Sequence, residues 1–209
     1  FATSFKADEQ QILRDFGNWT TAIINGTKFN DLDADGLARE GGEPGLQNWR
    51  IYVDYDNDGA WDNPTEPSAV TDVNGNYSIV GVTPGTWTVR EEPQGGWTNS
   101  FPAAGSYTQL FTSSSVTNGR DFGNRTTGQV TGTKFHDRDS DGTVPEAGEL
   151  GLQGWRIYVD YNNNSTWDNA TEPSAVTDVN GNYTITGVTP GNWNLREELQ
   201  GGWTQSVPA

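Results

Sequence analysis

Cysteine and methionine are absent from the 209-residue sequence, and His136 is its only histidine. Without cysteine, a disulfide framework, a thiol nucleophile and a thiolate metal site are all excluded. One imidazole is a poor basis for a catalytic triad or a histidine-rich zinc site. No apolar run is long enough to cross a bilayer, which predicts that the chain does not insert into a membrane.

Positive charge is scarce as well. The chain carries 12 basic and 28 acidic residues, which gives a formal net charge of −16. Because the phosphates of nucleic acid repel such a surface, nucleic acid is not expected as a partner. So much negative charge also resists compaction unless a cation neutralises it, which indicates a bound divalent metal.

Hydrophobic residues make up only 32% of the chain, but nine Trp, seven Tyr and eight Phe supply large surfaces to bury. Few but bulky aromatics on a background rich in Gly, Thr and Asn indicate β-sandwiches with many turns. No stretch has the period of a long amphipathic helix. The predicted fold class is therefore all-β.

An internal repeat organises the chain, and its two copies align at an offset of 106 residues without a gap. Such self-similarity indicates tandem copies of one structural unit. The clearest matched segments are Gly-Thr-Lys-Phe at 26–29 and 132–135, Trp-Arg-Ile-Tyr-Val at 49–53 and 155–159, and Arg-Asp-Phe-Gly-Asn at 14–18 and 120–124.

The phase of this repeat predicts three parts of the chain. Residues 1–20 are expected to be the closing strand or strands of a preceding repeat. Residues 21–125 are expected to form a complete β-sandwich, which we call repeat 1. Residues 126–209 are expected to form a second β-sandwich that lacks its closing strand, which we call repeat 2.

Strand signals recur within each repeat. Trp49, Ile51 and Val53 alternate with polar neighbours, which predicts a half-buried strand. Asn74-Gly75 predicts a type I′ hairpin between strands at 69–71 and 77–79. About seven short strands in roughly 100 residues are typical of an immunoglobulin-like sandwich. The sequence therefore predicts two tandem β-sandwich repeats.

Acidic residues cluster in loops that have the spacing of calcium ligands. Asp31, Asp33 and Asp35 occupy alternate positions, Gly36 follows, and Glu43 is at position 13 counted from Asp31. Calcium takes about six to eight hard oxygens, and carboxylates at positions 1, 3 and 5 of a loop can surround one ion. The pattern occurs four times, in loop 1 (31–43), loop 2 (54–66), loop 3 (137–149) and loop 4 (160–172).

The predicted cofactor is therefore Ca²⁺, held on a framework of strands. Loop 4 is expected to bind most weakly, because Asn162 and Asn164 replace acids and Ser165 replaces a Gly. The alternative is that Asp and Asn merely populate turns, where they are common. The candidate ligands are Asp31, Asp33, Asp35, Leu37, Glu40 and Glu43 in loop 1; Asp54, Asp56, Asp58, Asp62 and Glu66 in loop 2; Asp137, Asp139, Asp141, Thr143, Glu146 and Glu149 in loop 3; and Asp160, Asn162, Asn164, Asp168 and Glu172 in loop 4.

Several motifs together resemble the B-type repeats of serine–aspartate-repeat surface adhesins, the SdrD B-like family. They are Gly-Thr-Lys-Phe-Asn-Asp at 26–31, Gly-Glu-Pro-Gly-Leu at 42–46, Thr-Asp-Val-Asn-Gly-Asn-Tyr at 71–77 and Asp-Phe-Gly-Asn at 121–124. The resemblance covers nearly the whole chain, twice. It implies prealbumin-like β-sandwiches in an extracellular, cell-surface stalk that calcium makes rigid.

A related resemblance, to collagen-adhesin B-type domains, implies an internal isopeptide bond. In those domains a first-strand Lys is joined to a last-strand Asn with the help of a buried Glu, and the matching residues here are Lys28, Asn124 and Glu91. Glu91 and Asn124 share strand faces with apolar residues, which predicts that both point into the core. Lys28 lies on the opposite strand face from Phe29, and a solvent-exposed Lys is the commoner fate, so the alternative stays open.

Two other function classes compete with a structural role. An enzyme is not predicted, because His136 aligns with Asn30 in repeat 1 and is therefore dispensable there. A carbohydrate-binding or adhesive ligand-binding module is the alternative to a stalk or fibre, since β-sandwiches with surface Trp bind sugars. Trp61 and Trp97 lie near loops and are the candidate sugar platform.

The phase of the repeat also predicts that copies of the chain assemble head to tail. An incomplete repeat 2 exposes a strand edge that invites pairing, and residues 1–18 match the closing strands of repeat 1. Ile12 and Phe16 are then expected to fill the core of the preceding copy. Asn18 is expected to approach Lys134 and Glu197 there, as a candidate covalent link between units. The alternative is one long polypeptide in which peptide bonds join the same units.

Overall fold

A computed structural model describes residues 16–143 and 145–208 of the chain. Every regular element in these two ranges is a β-strand, which confirms the all-β fold class. Within the same ranges, no helix has the length and apolar character that a membrane span requires.

Repeat 1 contains nine strands where the sequence predicts about seven. They are β1 (Ala22–Asn30), β2 (Arg50–Asp54), β3 (Ser68–Val70), β4 (Asn76–Val82), β5 (Gly85–Glu91), β6 (Thr98–Phe101), β7 (Tyr107–Phe111), β8 (Val116–Thr117) and β9 (Phe122–Arg125). One sheet has the order β4-β1-β9-β6, with β8 also beside β1, and the other has the order β3-β2-β5-β7. The neighbours β1 and β9 run parallel to each other.

The two sheets pack face to face as a β-sandwich. Ile24 and Phe122 of the first sheet belong to the same buried cluster as Ile51, Val53 and Val89 of the second, and all five are 0% exposed. Inward-facing side chains from both sheets form such a core, while alternate residues face outward. The core therefore lies between β1 and β9 on one side and β2 and β5 on the other.

Two detailed strand predictions are wrong. β2 is buried on both faces, because loop 2 folds over it and the Tyr52 hydroxyl donates to the Gly59 carbonyl oxygen at 2.9 Å. The Asn74-Gly75 turn does not form a hairpin, since β3 pairs with β2 and β4 pairs with β1. The turn instead carries the chain from one sheet to the other. Gly75 is needed there, because a Cβ would meet the main-chain oxygen of Lys28.

Repeat 2 contains five strands among its described residues. They are β10 (Gly128–Thr133), β11 (Arg156–Asp160), β12 (Ser174–Val176), β13 (Asn182–Val188) and β14 (Asn194–Glu197). β10 pairs with β13, and β11 pairs with both β12 and β14. Residues 204–207, the counterpart of β6, form no strand.

Candidate metal loops and lysine clusters

The four acidic loops follow one backbone path. The residue at position 4 has φ between 56° and 62° in every loop, and the residue at position 6 has φ between 62° and 83°. Position 6 is Gly in loops 1, 2 and 3, which adopt this left-handed conformation without a steric penalty. In loop 4 the residue is Ser165, whose Cβ makes the same conformation more costly.

Side chains at positions 1, 3 and 5 fix this path through hydrogen bonds to the main chain. The position-1 carboxylate accepts from the N–H of position 6 in each loop, at 3.0 to 3.2 Å. The side chains at positions 3 and 5 each accept from the N–H two residues later. These Asx turns hold the three side chains on the inner side of the loop.

Carboxylate oxygens converge to within 4.8 Å of one another in three loops. In the described part of loop 4, three carboxylates do not converge, because its positions 3 and 5 are amides. The predicted carboxylate ligands outside the converging groups are Asp62, Glu66, Glu146, Glu149, Asp160, Asp168 and Glu172. The other predicted ligands carry no carboxylate: Leu37, Thr143, Asn162 and Asn164. The converging groups are Asp31, Asp33 and Glu43; Asp33, Asp35 and Glu40; Asp54, Asp56 and Asp58; and Asp137, Asp139 and Asp141.

The Glu at position 13 has a role that sequence spacing did not predict. In all four loops one of its oxygens accepts the N–H of position 2, and the other accepts the N–H of position 9 or 10, at 2.7 to 3.3 Å. The carboxylate therefore ties the start of each loop to its later part. Only in loop 1 does this residue, Glu43, also belong to a converging group.

Loop 1 has an uncompensated negative charge at its centre. Asp31 is 0% exposed, and its Oδ1 has no hydrogen-bond partner. A buried carboxylate oxygen without a partner is costly, so a cation at this point is strongly favoured. The negative charge of Asp35 raises the pKa of Glu40 above its ordinary value, which is a further sign of the crowded acids.

Loops 2 and 4 already contain a cation, supplied by the neighbouring strand. Arg90 Nε lies 2.7 Å from Asp54 Oδ2, and Arg196 Nε lies 2.6 Å from Asp160 Oδ2. Burial tends to raise the pKa of Asp160, but hydrogen bonds from the Ser165 N–H and from Arg196 outweigh it and lower the pKa. Sequence reasoning missed both arginines. The available signal was that they are conserved between the repeats at the offset of 106.

A buried lysine cluster lies in the core of repeat 1. Lys28 is 0% exposed, and its Nζ lies 2.6 Å from Glu91 Oε2 and 4.4 Å from the centre of the Trp49 ring. Lys28 and Glu91 therefore form a buried ion pair. Burial lowers the pKa of Lys28 to about 8, although the charge of Glu91 partly opposes the shift. The expectation of a solvent-exposed Lys is wrong.

The third residue of the predicted isopeptide set lies on the strand next to Lys28. Asn124 is 2% exposed and its Oδ1 has no hydrogen-bond partner. It belongs to β9, which pairs with β1 in the register Lys28 to Phe122 and Asn30 to Asn124. The structure thus places Lys28, Glu91 and Asn124 in the interior of one sandwich.

Repeat 2 contains the matching pair without the Asn. Lys134 Nζ lies 2.6 Å from Glu197 Oε2, and their side chains are 15% and 8% exposed. Asn18 and Phe16, the described members of the predicted donor segment, are both exposed, Phe16 to 83%. Residues 1–15, which include Ile12, lie outside the described residues, as does Ala209.

The two tryptophans of the candidate sugar platform are held by other side chains. The Arg50 guanidinium carbon lies 3.6 Å from the centre of the Trp61 ring, and Trp61 Nε1 donates to the Glu66 carbonyl oxygen at 3.2 Å. Trp97 packs edge-on against the buried Trp49, with ring centres 5.8 Å apart. Trp61 therefore braces loop 2 against β2, and one of its faces is already covered.

No family model and no curated protein sequence match the chain. Solved structures that are similar to it include the Bacillus anthracis TIE protein, at 11% identity over 86% of this chain and 31% of that chain, with a TM-score of 0.39. A streptococcal ancillary pilin is similar at 16% identity, over 89% of this chain and 56% of that chain, with a TM-score of 0.38. The shaft pilin SpaA of Lactobacillus rhamnosus GG is similar at 12% identity, over 90% of each chain, with a TM-score of 0.35.

Two of these three similar structures are pilins. The chain covers about a third of the TIE protein and a little over half of the ancillary pilin. Identities and TM-scores this low carry no functional argument. The resemblance to SdrD B-like repeats therefore stays a prediction, and the case for function rests on the loops and the lysine clusters.

Proposed function

We propose that this chain is a calcium-stabilised structural module of an extracellular stalk, matrix fibre or filament at a cell surface. The observation that carries the proposal is the set of four loops with one backbone path and the same main-chain hydrogen bonds. A polar turn without a bound ion does not require inward-facing oxygens at positions 1, 3 and 5. Because all four loops have them, the arrangement favours calcium binding.

Loop 1 is the best-supported site, because Asp31 Oδ1 is buried and has no hydrogen-bond partner. Asp31, Asp33, Glu43 and their neighbours in the converging groups would hold the ion there. Calcium supplies charge neutralisation to this cluster and so removes the mutual repulsion of the acids. Loops 2 and 3 offer one converging group each. Loop 4 contains an arginine as loop 2 does, but its two amides replace acids of loop 2, which makes it the weakest.

The position of the loops explains why calcium would stiffen the module. Loop 1 begins directly after β1, and loop 2 begins at the last residue of β2. The N–H of Asp31 donates to the carbonyl oxygen of Asn124 at 2.9 Å, so loop 1 is also joined to the end of β9. An ion in loop 1 would therefore fix the ends of two neighbouring strands at once.

A covalent cross-link in repeat 1 is part of the same proposal. The Lys28 amine attacks Cγ of Asn124, a C–N bond forms, and the amide nitrogen of Asn124 leaves as ammonia. Glu91 carries the proton between the two nitrogens. Burial supports the reaction, because it lowers the pKa of Lys28 and so increases the share of the neutral, nucleophilic amine.

Self-association is the last component. We infer that copies of the chain join head to tail, since Phe16, an apolar residue of the predicted donor segment, is 83% exposed. Such heterologous contacts extend into filaments rather than closing into dimers.

Removal of calcium tests the proposal. Saturating calcium is expected to raise the thermal midpoint by roughly 5–10 °C per occupied loop, relative to chelator, and to slow proteolysis. The double variant Asp33→Asn, Asp35→Asn should lose the share that loop 1 contributes. Glu92→Gln is the control, because it removes an acid outside the four loops. It breaks the surface ion pair with Arg50, so any effect on the midpoint should be the same with calcium and with chelator. If a chelator changes neither the midpoint nor the rate of proteolysis, calcium stabilisation is wrong.

A further inference from the structure

We propose that Arg90 and Arg196 are internal counter-charges that hold loops 2 and 4 in their folded conformation without a metal ion. Loops 1 and 3, whose described acids pair with no arginine, are then the loops whose conformation depends on calcium. This inference rests on the proposed function and deepens it, because it divides the four loops by their need for the ion.

Arg90 joins two separate points of loop 2. Its Nε donates to Asp54 Oδ2 at 2.7 Å, and its Nη2 donates to Asn57 Oδ1 at 2.8 Å. The acceptors are positions 1 and 4 of the loop. A guanidinium group presents its N–H groups in a planar, fixed fork, so one side chain can hold both acceptors at once. Because Arg90 lies on β5, which pairs with β2, the sheet fixes this fork against the start of the loop.

Loop 4 repeats the arrangement. Arg196 Nε donates to Asp160 Oδ2 at 2.6 Å, and its Nη2 donates to Asn163 Oδ1 at 2.9 Å. All three residues align with those of loop 2 at the offset of 106. In both loops the aspartate side chain is 0% exposed, whereas the arginine side chains are 29% and 34% exposed. Each arginine thus brings a positive charge to an acid that water does not reach.

Loops 1 and 3 cannot accept such a fork. Their position-4 residues, Ala34 and Ser140, have the same left-handed conformation but lack the amide oxygen that the arginine binds in loops 2 and 4. Among the described residues, no Lys or Arg forms an ion pair with an acid of loop 1 or loop 3. Arg39 of loop 1 instead donates to the main-chain oxygens of Glu43 and Asn74.

The position-1 carboxylates show what the arginine changes. Asp31 in loop 1 is 0% exposed, and its Oδ1 has no hydrogen-bond partner. Asp54 in loop 2 is 1% exposed, but its Oδ1 accepts the N–H of Asn57 at 2.6 Å, and its Oδ2 accepts from the N–H of Gly59 and from Arg90. A buried charge without a partner is far more costly than one that is paired and hydrogen-bonded. Loop 2 therefore has its compensating charge within the chain, and loop 1 needs one from solution.

The arginine also sets how strongly loop 2 binds an ion. Asp54, Asp56 and Asp58 converge, so a cation can still enter. It gains less there, because Arg90 already neutralises one of the negative charges, and calcium affinity depends on the charge of the ligand set. Arg90 and Arg196 therefore lower the calcium affinity of their loops and keep those loops folded when calcium is absent.

Hydrogen exchange measured by NMR on the full chain tests this division. The main-chain N–H of position 6 is a matched reporter, since it donates to the position-1 carboxylate in all four loops. With chelator, the N–H groups of Gly59 and Ser165 should exchange roughly tenfold or more slowly than those of Gly36 and Gly142. Calcium should slow the exchange of Gly36 and Gly142 most. Equal exchange in the four loops with chelator would overturn the proposal.

Substitution of the arginines tests the cause. Arg90→Met removes the fork but keeps an apolar side chain. With chelator it should speed exchange of the Gly59 N–H roughly tenfold or more and leave Ser165 unchanged, and Arg196→Met should do the reverse. Exchange in β1 reports whether repeat 1 stays folded, and Arg90→Lys, which keeps the charge but not the fork, should have an intermediate effect. A Gly59 N–H that exchanges at the wild-type rate in Arg90→Met would contradict the role of the arginine.

Failure of the arginines and failure of the calcium sites have different signatures. The role of the arginines is judged with chelator alone, where no calcium is bound. If Gly36 and Gly142 exchange rapidly and calcium does not slow them, calcium stabilisation is wrong and the role of the arginines stands. If all four N–H groups exchange slowly with chelator, no loop needs a cation and the division of the loops is wrong.

Discussion

Repeat 1 and repeat 2 have the same motifs but differ in how completely their cores are closed. Lys28 is fully buried beside Glu91, whereas the side chain of Lys134 is 15% exposed beside Glu197. The difference coincides with β9, which covers β1 in repeat 1 and has no described equivalent next to β10. In repeat 1, β9 is therefore part of what separates the lysine pair from water.

The largest expected difference between the repeats is covalent. The intact mass of the chain should be lower than its sequence mass by one ammonia. Lys28→Ala and Asn124→Ala should each restore the full mass, and Lys134→Ala should not. Because the bond would close a loop from residue 28 to residue 124, its loss should lower the free energy of unfolding by about 4–5 kcal/mol. A wild-type mass without the loss of ammonia would show that the bond does not form.

A smaller expected effect is the pH dependence that Lys28 gives to the stability of repeat 1. In Asn124→Ala, which cannot form the bond, the folded pKa of Lys28 is expected to remain near about 8, below the ordinary value of 10.5. Between these values the unfolded chain binds a proton that the folded chain does not, so stability rises with pH. The expected gain from pH 8 to about 9.5 is about 2 kcal/mol by denaturant unfolding.

The control for this titration is Lys28→Met in the same Asn124→Ala background. This double variant should not show the rise in stability between pH 8 and about 9.5. Above about pH 10 the sign reverses, because tyrosines begin to ionise in the unfolded chain. Burial raises the pKa of Tyr52 to about 12, so its proton stays on longer in the folded protein. A stability that is flat from pH 8 to about 9.5 in Asn124→Ala would contradict the shifted lysine.

The smallest expected effect concerns loops 2 and 4. Asn162→Asp with Asn164→Asp gives loop 4 the acids of loop 2 and should raise its calcium affinity roughly tenfold. The reverse exchange, Asp56→Asn with Asp58→Asn, should lower the affinity of loop 2 by a similar factor. Titration calorimetry measures both. Unchanged affinities in both exchanges would show that these side chains are turn formers only.

The sequence predicted the structural features that are set by residues close together in the chain. The loop spacing predicted the convergence of Asp54, Asp56 and Asp58, because the winding of each loop is set by its own residues. The hairpin that was predicted at Asn74-Gly75 does not form, because the residues of a turn do not determine which sheet the next strand joins. The salt bridge from Arg90 to Asp54 was missed for a related reason: it depends on the register of β2 with β5.

The burial of Lys28 shows another limit of strand alternation. Alternation placed Lys28 and Phe29 on opposite faces, and both are 0% exposed. Phe29 contacts the Phe101 ring on its own side, with ring centres 6.2 Å apart. A central strand that is covered on both faces leaves no exposed side for a lysine. Only the packing of the other elements shows this.

The parallel pairing of β1 and β9 has a mechanical consequence. The chain enters repeat 1 at the first residue of β1 and leaves it at the last residue of β9, and these two points are at opposite ends of the paired strands. A pull on the two ends of the repeat therefore slides the strands along each other. The hydrogen bonds between them share such a load and must break together, whereas strands that are peeled apart lose their bonds one at a time. Repeat 1 is consequently built to resist tension along the chain.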